Sequence, residues 1–332
     1  KINYFIESMD DFLSCHYDDR SLQHILKTGI QDGGQWDMFV SLVEKYGVIP
    51  QAIMPETPTS SATRFLNAII NVRLRKYAAD ARAAFKADTS LEQLKSETLN
   101  ELYGLLVSSL GMPPQHFDFE YQNKSGYHVI KNITPKAFYK ETAIDLKDYI
   151  SVIHAPTFDK PYHQTYTVAY LGNVVGGSDI KYLNLPMAEL KALTIKQLKA
   201  DEVVWFGSDV ARFGERKKGI WAPELFDYET VLNMSFEMTK ENQVLYSQSS
   251  MNHAMVITGV HLDEQAPKRF KIENSWGSDI GRSGYFVGTN QWFDDYVYQV
   301  IINKKYLTEE QLKQWSLKPT VLKPWDPMGS LA

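Results

Sequence analysis

The sequence predicts an α+β fold, and three observations carry that reading. Helical apolar periodicity dominates residues 1–110. From residue 117 the texture changes to short aromatic and β-branched runs that alternate with period two between turn residues. One amphipathic segment, PMAELKALTIKQLKA at 186–200, interrupts those runs as a helix.

Residues 1–60 read as helices joined by short turns. Ile2, Phe5, Ile6, Met9, Phe12 and Leu13 recur with helical spacing. No N-cap residue precedes Lys1, and a helix that opens on a cation opposes its own dipole. The expectation is a chain that begins inside a helix of a longer protein, with a trimmed terminus as the alternative. In QDGGQWDMFVSLVEKYGVIP, Gly33 and Gly34 read as a turn before a helix whose Trp36, Phe39, Val40 and Val43 share one face. Gly47 follows that helix as a C′ residue and Pro50 stops its continuation. Next comes the connector MPETPTSSATR, where Thr63 or a neighbouring Ser is expected to cap a new helix.

Two helices follow, RFLNAIINVRLRKYAADARAAFK and LEQLKSETLNELYGLLVSSLG, separated by a turn around ADTS. Leu91, Leu94, Leu99, Leu102 and Leu106 form an apolar stripe, which suits a packing or oligomer surface, and Gly111 with Pro113 and Pro114 ends it. Strands are expected in HFDFEYQNKSGYHVIKNI, YISVIH, QTYTVAY, KYLNLP, EVVWFGSDV, HAMVITGVHL, RFKIENSW, SGYFVGT and YVYQVIINKKYL. The short helix TEEQLKQW and the extended tail SLKPTVLKPWDPMGSLA close the chain, and no internal repeat stands out.

Composition narrows the function. With 332 residues, 44% apolar and 13% aromatic, the chain can bury a sizeable core. Its 35 basic and 40 acidic residues are mixed and leave a net charge of −5, so no broad basic face for nucleic acid is implied. The basic runs RLRK (73–76) and ERKKG (215–219) are too short for a phosphate-tracking groove and read as solvated surface. The histidines show no metal-ligand spacing and no Gly-rich phosphate loop is present, so no cofactor or metal is expected. No apolar run reaches bilayer-spanning length, which leaves no membrane partner to expect. Cys15 is the single cysteine; a disulfide framework is excluded and a reducing, cytoplasmic setting is expected.

The chemistry concentrates near the end of the β-rich region. His253 opens the strand of MNHAMVITGV, and Asn274 ends the strand of RFKIENSW. Hairpin pairing through the turn around DEQAPK can bring the two opposite each other. An imidazole that takes a thiol proton needs its other nitrogen held in one tautomer, and an Asn carbonyl does so without adding a full charge. Trp276 would shield that hydrogen bond from water. A satisfied structural His, an ordinary Gly-Gly turn and a frayed tail are the plain alternatives that the residues alone leave open.

MNHAMVITGV and FKIENSWGSDIGRSGYFVGTNQWF resemble the His/Asn region of papain-like cysteine peptidases, specifically the bleomycin hydrolase and aminopeptidase C branch. QDGGQWDMFVSLVEKYGVIPQAIMPET, AYLGNVVGGSDIKYLNLP, KKGIWAPELFDYE and KPWDPMGSLA resemble further segments of that branch, in its order. The resemblance implies a papain-like fold. Residues 1–60 would be the remainder of a helical domain with the Gly-Gly substrate segment, and 61–116 a helical insertion or oligomerisation arm. Residues 117–306 would form a β-barrel-like domain carrying His and Asn, and 307–332 a short helix and C-terminal arm. It further implies His253 as general base, Asn274 as its orienting partner, Trp276 as shield, and Gly33, Gly34 and Asn252 as backbone contacts to a peptide. The Ala332 carboxylate would hold the substrate's amine, in a homohexamer.

One departure is large: no Q-x-x-G-x-C-W segment is present. Cys15 in FLSCHYDDRS lies beside Asp18 and Asp19, which disfavour a thiolate, so Cys15 is not expected to be the nucleophile. The expectation is the C-terminal portion of a cysteine aminopeptidase, inactive alone, whose thiol lies in an upstream segment. A non-catalytic scaffold or binding protein on the same fold is the alternative, and an endopeptidase is a third reading.

Overall fold

Helical periodicity in the first third of the sequence builds one unit, Lys1–Leu146 with Tyr170–Ile180, and the strand-rich remainder builds another, Lys147–Ala169 with the residues from Lys181 on. The computed structural model describes residues 1–331.

The first unit contains α1 (Ile2–Ser8), α2 (Arg20–Thr28), α3 (Trp36–Tyr46), α4 (Arg64–Lys86), α5 (Glu92–Leu110), the antiparallel hairpin β1 (Phe117–Asn123) and β2 (Gly126–Ile133), and α6 (Pro135–Glu141). Along α4, Leu66, Ile70, Leu74, Tyr77, Ala78 and Ala81 recur every three or four positions. They pack on Phe5, Ile6, Met9, Phe12, Leu22 and Leu102, with Leu91, Leu94, Leu99 and Leu106 at the border. The expected stripe is thus a packing face within the unit. Arg73 pairs with Glu101 at 2.6 Å and Arg75 Nε donates to the Leu26 carbonyl at 2.8 Å, so the basic run at 73–76, with Arg75 and Lys76 exposed as expected, also braces the helices.

Three local expectations change. Phe39 is 47% exposed whereas its neighbour Met38, about 100° further round α3, is 4% exposed. The reason is long-range: Asn173 Nδ2 donates to the Met38 carbonyl, and a Cβ on Gly177 would lie 2.9 Å from Ser41 Oγ, so residues 170–180 cover a face that local periodicity leaves to solvent. Thr63 takes the expected N-cap position of α4, but its hydroxyl donates to the Asp32 carboxylate and makes no side-chain cap bond. Gly33 and Gly34 lie in an irregular stretch instead of a tight turn. Gly47 does meet its expected role, with φ +80° and a Cβ position only 2.2 Å from the Pro135 carbonyl carbon.

The second unit comprises β3 (Tyr149–Ile153), β4 (Gln164–Val168), β5 (Tyr182–Asn184), α7 (Met187–Leu198), β6 (Val204–Ser208), β7 (Gly214–Glu215), β8 (Ile220–Trp221), α8 (Tyr228–Leu232) and α9 (Lys240–Leu245). It continues with β9 (His253–Asp263), β10 (Ala266–Glu273), β11 (Tyr285–Thr289), α10 (Asn290–Tyr296), β12 (Val297–Asn303), α11 (Glu309–Trp315) and β13 (Thr320–Leu322). Among the described residues its strands form one eleven-stranded sheet in the order β13-β4-β5-β3-β12-β6-β9-β10-β11-β8-β7. Phe206, Trp221, Phe270, Phe286, Trp292 and Phe293 fill the core with Val and Ile from the central strands. These β-branched and aromatic runs suit a pleated, buried surface. A capping box between Thr308 and Gln311 starts α11. Among the described residues no helix is long and apolar enough to cross a membrane.

Candidate active site

Strand β9 is held on both sides. Ser208 of β6 pairs with His253, and β10 returns along β9 through the two-residue loop Glu264–Gln265, where Glu264 takes φ +55°. A register shift between Lys271 and Ile272 bends β10 as it approaches its end. The hairpin delivers Asn274 to His253: Nε2 lies 2.8 Å from Asn274 Oδ1.

The tautomer follows from the neighbours. Asn274 Oδ1 also accepts the Ser275 backbone N–H at 2.8 Å. A backbone N–H can only donate, so the atom facing it is the amide oxygen, and a flipped amide would set donor against donor. Nε2 therefore carries the proton it gives to Asn274. Nδ1 keeps its lone pair, and among the described residues it has no hydrogen-bond partner. The Asn274 backbone N–H is tied to the Gly284 carbonyl at 3.1 Å, and its Nδ2 is buried without a partner. Gly281 makes that turn possible, with φ +63° and a Cβ position 2.5 Å from the Tyr285 carbonyl oxygen.

Trp276 stacks on the imidazole with ring centroids 5.0 Å apart and 27° between planes. Phe286 and Trp221 meet Trp276 edge-on. An apolar wall thus covers the His253–Asn274 bond, where a hydrogen bond is stronger than in water.

Behind His253 lies a buried polar network that the sequence reading did not foresee. Asn252 Nδ2 donates to Asp209 Oδ1 at 2.6 Å, and Asn252 Oδ1 accepts the Val210 N–H at 3.0 Å. Asp209, 2% exposed, also accepts from the Ala211 N–H and from Ser249 Oγ, which in turn accepts the Tyr298 hydroxyl at 2.7 Å. Burial pushes the Tyr298 phenol well up. The Lys240 ammonium sits over the Tyr298 ring and donates to the Asp294 and Val297 carbonyls, and burial lowers it to about 7. The only sequence hint was the polar cluster SSMN next to an apolar strand.

The tail is anchored to the segment that leads into β9. Ser330 Oγ donates to the Met251 carbonyl at 2.7 Å, and Met328 and Leu331 are buried. Asp326 caps Met328 and pairs with the buried Lys160 ammonium at 2.9 Å. Residues 326–331 therefore are not frayed. Ala332 lies outside the described residues.

Gly33, Gly34 and Cys15 belong to the first unit. The Gly33 carbonyl accepts from Lys1 Nζ, and the space around a Cβ on Gly34 is open. Cys15 Sγ donates to the Phe12 carbonyl at 3.3 Å and lies 3.4 Å from an Arg82 nitrogen, while the neighbouring His16 ring faces Asp18. No imidazole is among its partners. Among the described residues no cluster of three or more His, Cys, Asp or Glu is placed to hold a metal.

Comparison with known proteins agrees with this geometry. The profile of the Peptidase C1-like family matches residues 1–329. Aminopeptidase C of Listeria innocua is 48% identical over the whole chain, which spans 76% of that relative. Bleomycin hydrolase of Gallus gallus is 39% identical over 95% of the chain and 72% of its own length. The crystal structure of PepW from Lactobacillus rhamnosis HN001 superposes with a TM-score of 0.98 at 46% identity, covering all of this chain and 76% of that one. An α+β papain-like fold, a hairpin that joins imidazole to amide, and relatives at this level make the chain a member of the Peptidase C1-like family, on the branch of aminopeptidase C and bleomycin hydrolase.

Proposed function

We propose that this chain supplies the base, its orienting amide and the substrate contacts of a thiol aminopeptidase, while the nucleophilic sulfur comes from outside these 332 residues. The observation that carries the reading is the fixed tautomer of His253, whose bond to Asn274 leaves Nδ1 free to receive a proton. His253 takes the thiol proton, and the thiolate attacks the carbonyl carbon of the first peptide bond. The imidazolium then returns the proton to the leaving amine, and water hydrolyses the acyl-enzyme by the same route. Asn274 holds the ring through both halves, and Trp276 keeps water from the bond.

Gly33 and Gly34 offer backbone to an extended peptide, as does Asn252, whose side chain is already committed to Asp209 and Val210. The anchored Ser330 and Leu331 support an arm whose end, at Ala332, pairs with the substrate's ammonium. Cys15 is occupied with Phe12 and Arg82, which supports a nucleophile elsewhere and an isolated chain without activity. The working assembly is a cytoplasmic homohexamer.

The test is hydrolysis of aminoacyl arylamides. The 332-residue chain should be silent, and the protein carrying its thiol-bearing segment should turn over. His253→Ala in the latter should lower kcat by about 10²–10⁴-fold, the usual contribution of a general base. Undiminished turnover in that variant rejects the assignment.

A further inference from the structure

The hairpin joining β7 and β8 carries Arg216, Lys217 and Lys218, all exposed. It is a fixed feature. The Glu215 carboxylate accepts the backbone N–H groups of Lys217 and Lys218, at 3.2 and 2.6 Å. Gly219 closes the turn with φ +72°, where a Cβ would lie 2.7 Å from Gly281 Cα, and its carbonyl accepts the Val287 N–H at 2.8 Å. The hairpin is thereby pinned to the loop that carries Trp276.

Its side chain of interest is Arg216. The guanidinium carbon stands 4.6 Å from the centre of the Trp276 ring, and Trp276 is the ring that stacks on His253. A guanidinium held by the quadrupole of an indole keeps its N–H donors at its rim, in the fork geometry that matches a carboxylate. Among the described residues Arg216 has no ion-pair or hydrogen-bond partner; the nearest acidic side chain in sequence, Glu215, is spent on backbone amides. Lys217 and Lys218 add charge of the same sign, in a chain whose net charge is −5.

We propose that Arg216 is a specificity-determining residue that receives the terminal carboxylate of a short peptide on the leaving-group side of the scissile bond. The inference rests on the peptidase reading above. His253 must hand its proton to the leaving amine, so the leaving fragment lies against the imidazole and beside the indole stacked on it. The two centroid distances, 5.0 and 4.6 Å, set the reach from imidazole to guanidinium. Two extended residues cover about 7 Å, so a leaving fragment of one or two residues brings its carboxylate to Arg216. A longer or amidated fragment brings no charge there. The favoured substrates are therefore di- and tripeptides with a free carboxylate.

The experiment compares trialanine with trialanine amide in the thiol-bearing protein, for wild type, Arg216→Gln and Arg216→Glu. An exposed ion pair predicts that the kcat/KM ratio of acid to amide falls about two- to fivefold in Arg216→Gln, mainly through KM, and further in Arg216→Glu. Added salt should shrink the wild-type ratio. A ratio that stays constant, because acid and amide change together or not at all, overturns the proposal. Absence of wild-type turnover on alanyl arylamide would instead mark failure of the peptidase reading. In that event tryptophan fluorescence titration with dialanine and its amide, which needs no thiol, still decides: an acid preference lost in Arg216→Gln upholds the role, and equal binding of both ligands removes it.

Discussion

Replacing Asp209 by Ala removes a buried anion from beneath the strand that carries His253. Its oxygens accept from the Ala211 N–H at 3.0 Å, Asn252 Nδ2 at 2.6 Å and Ser249 Oγ at 2.8 Å, and Arg212 Nε pairs with Oδ2 at 3.5 Å. A hydrogen bond to a charged group contributes about 1.5–3 kcal/mol net, and stranding its partner adds desolvation cost. Asn252 is exposed and regains water, so the expected loss is about 3–5 kcal/mol, in line with breaking one side of a buried charged contact. Asp209→Asn keeps the shape. Its oxygen must still face Ala211 and Asn252, so its NH₂ faces Ser249, whose hydroxyl then loses its acceptor. Arg212 loses its anion as well. The loss is about 1.5–3 kcal/mol, that of one hydrogen bond to a charged group. Urea unfolding followed by tryptophan fluorescence on the thiol-bearing protein should rank wild type, then Asn, then Ala. An Ala variant within about 0.5 kcal/mol of wild type, the range of an ordinary surface change, would refute the account of Asp209 as the network's centre.

Lys240 gives a pH signature. Burial lowers it to about 7, while Asp294 and Asp295 oppose the shift and Lys191 adds to it. Between that value and the unfolded value near 10.5, unfolding takes up a proton, so stability rises with pH across this window and the cost of the buried charge is fully present below it. Lys240→Met should flatten the slope by up to about 1.4 kcal/mol per pH unit, measured as urea stability between pH 7 and 9.5; an unchanged slope would assign the dependence to other groups. Asp326→Asn keeps the cap on Met328 but breaks the pairing with Lys160, so carboxypeptidase should trim the tail faster than in wild type. Equal trimming would show that Ser330 and Leu331 hold the tail without the ion pair.

The fold was legible where patterns are local. The α4 stripe and the period-two strands follow from 3.6- and 2-residue spacing, and the His253–Asn274 pairing follows from a short hairpin between two clear strands. What sequence could not give came from distant segments. Met38 is buried because residues 170–180 return to α3. Asp209 becomes a hub because Ser249 and Asn252 arrive some forty positions later, and the exposed Arg216 lies over Trp276 because Gly219 locks its hairpin to the Gly281 turn. Each needs a tertiary contact that no window of neighbouring residues encodes.

The strand order of the large sheet also has a temporal side. β3 lies early in its unit, yet its partner β12 comes near the end, and Gln299 Nε2 reaches Ser151 Oγ across 148 positions of sequence. At ordinary synthesis rates a nascent chain waits on the order of ten seconds between making one strand and the other. Throughout that wait Ile150, Val152 and Ile153, all later fully covered, present an open hydrophobic edge able to capture a neighbouring chain. Yield of the folded protein should therefore depend on how that edge is guarded in the cell while the ribosome is still at work.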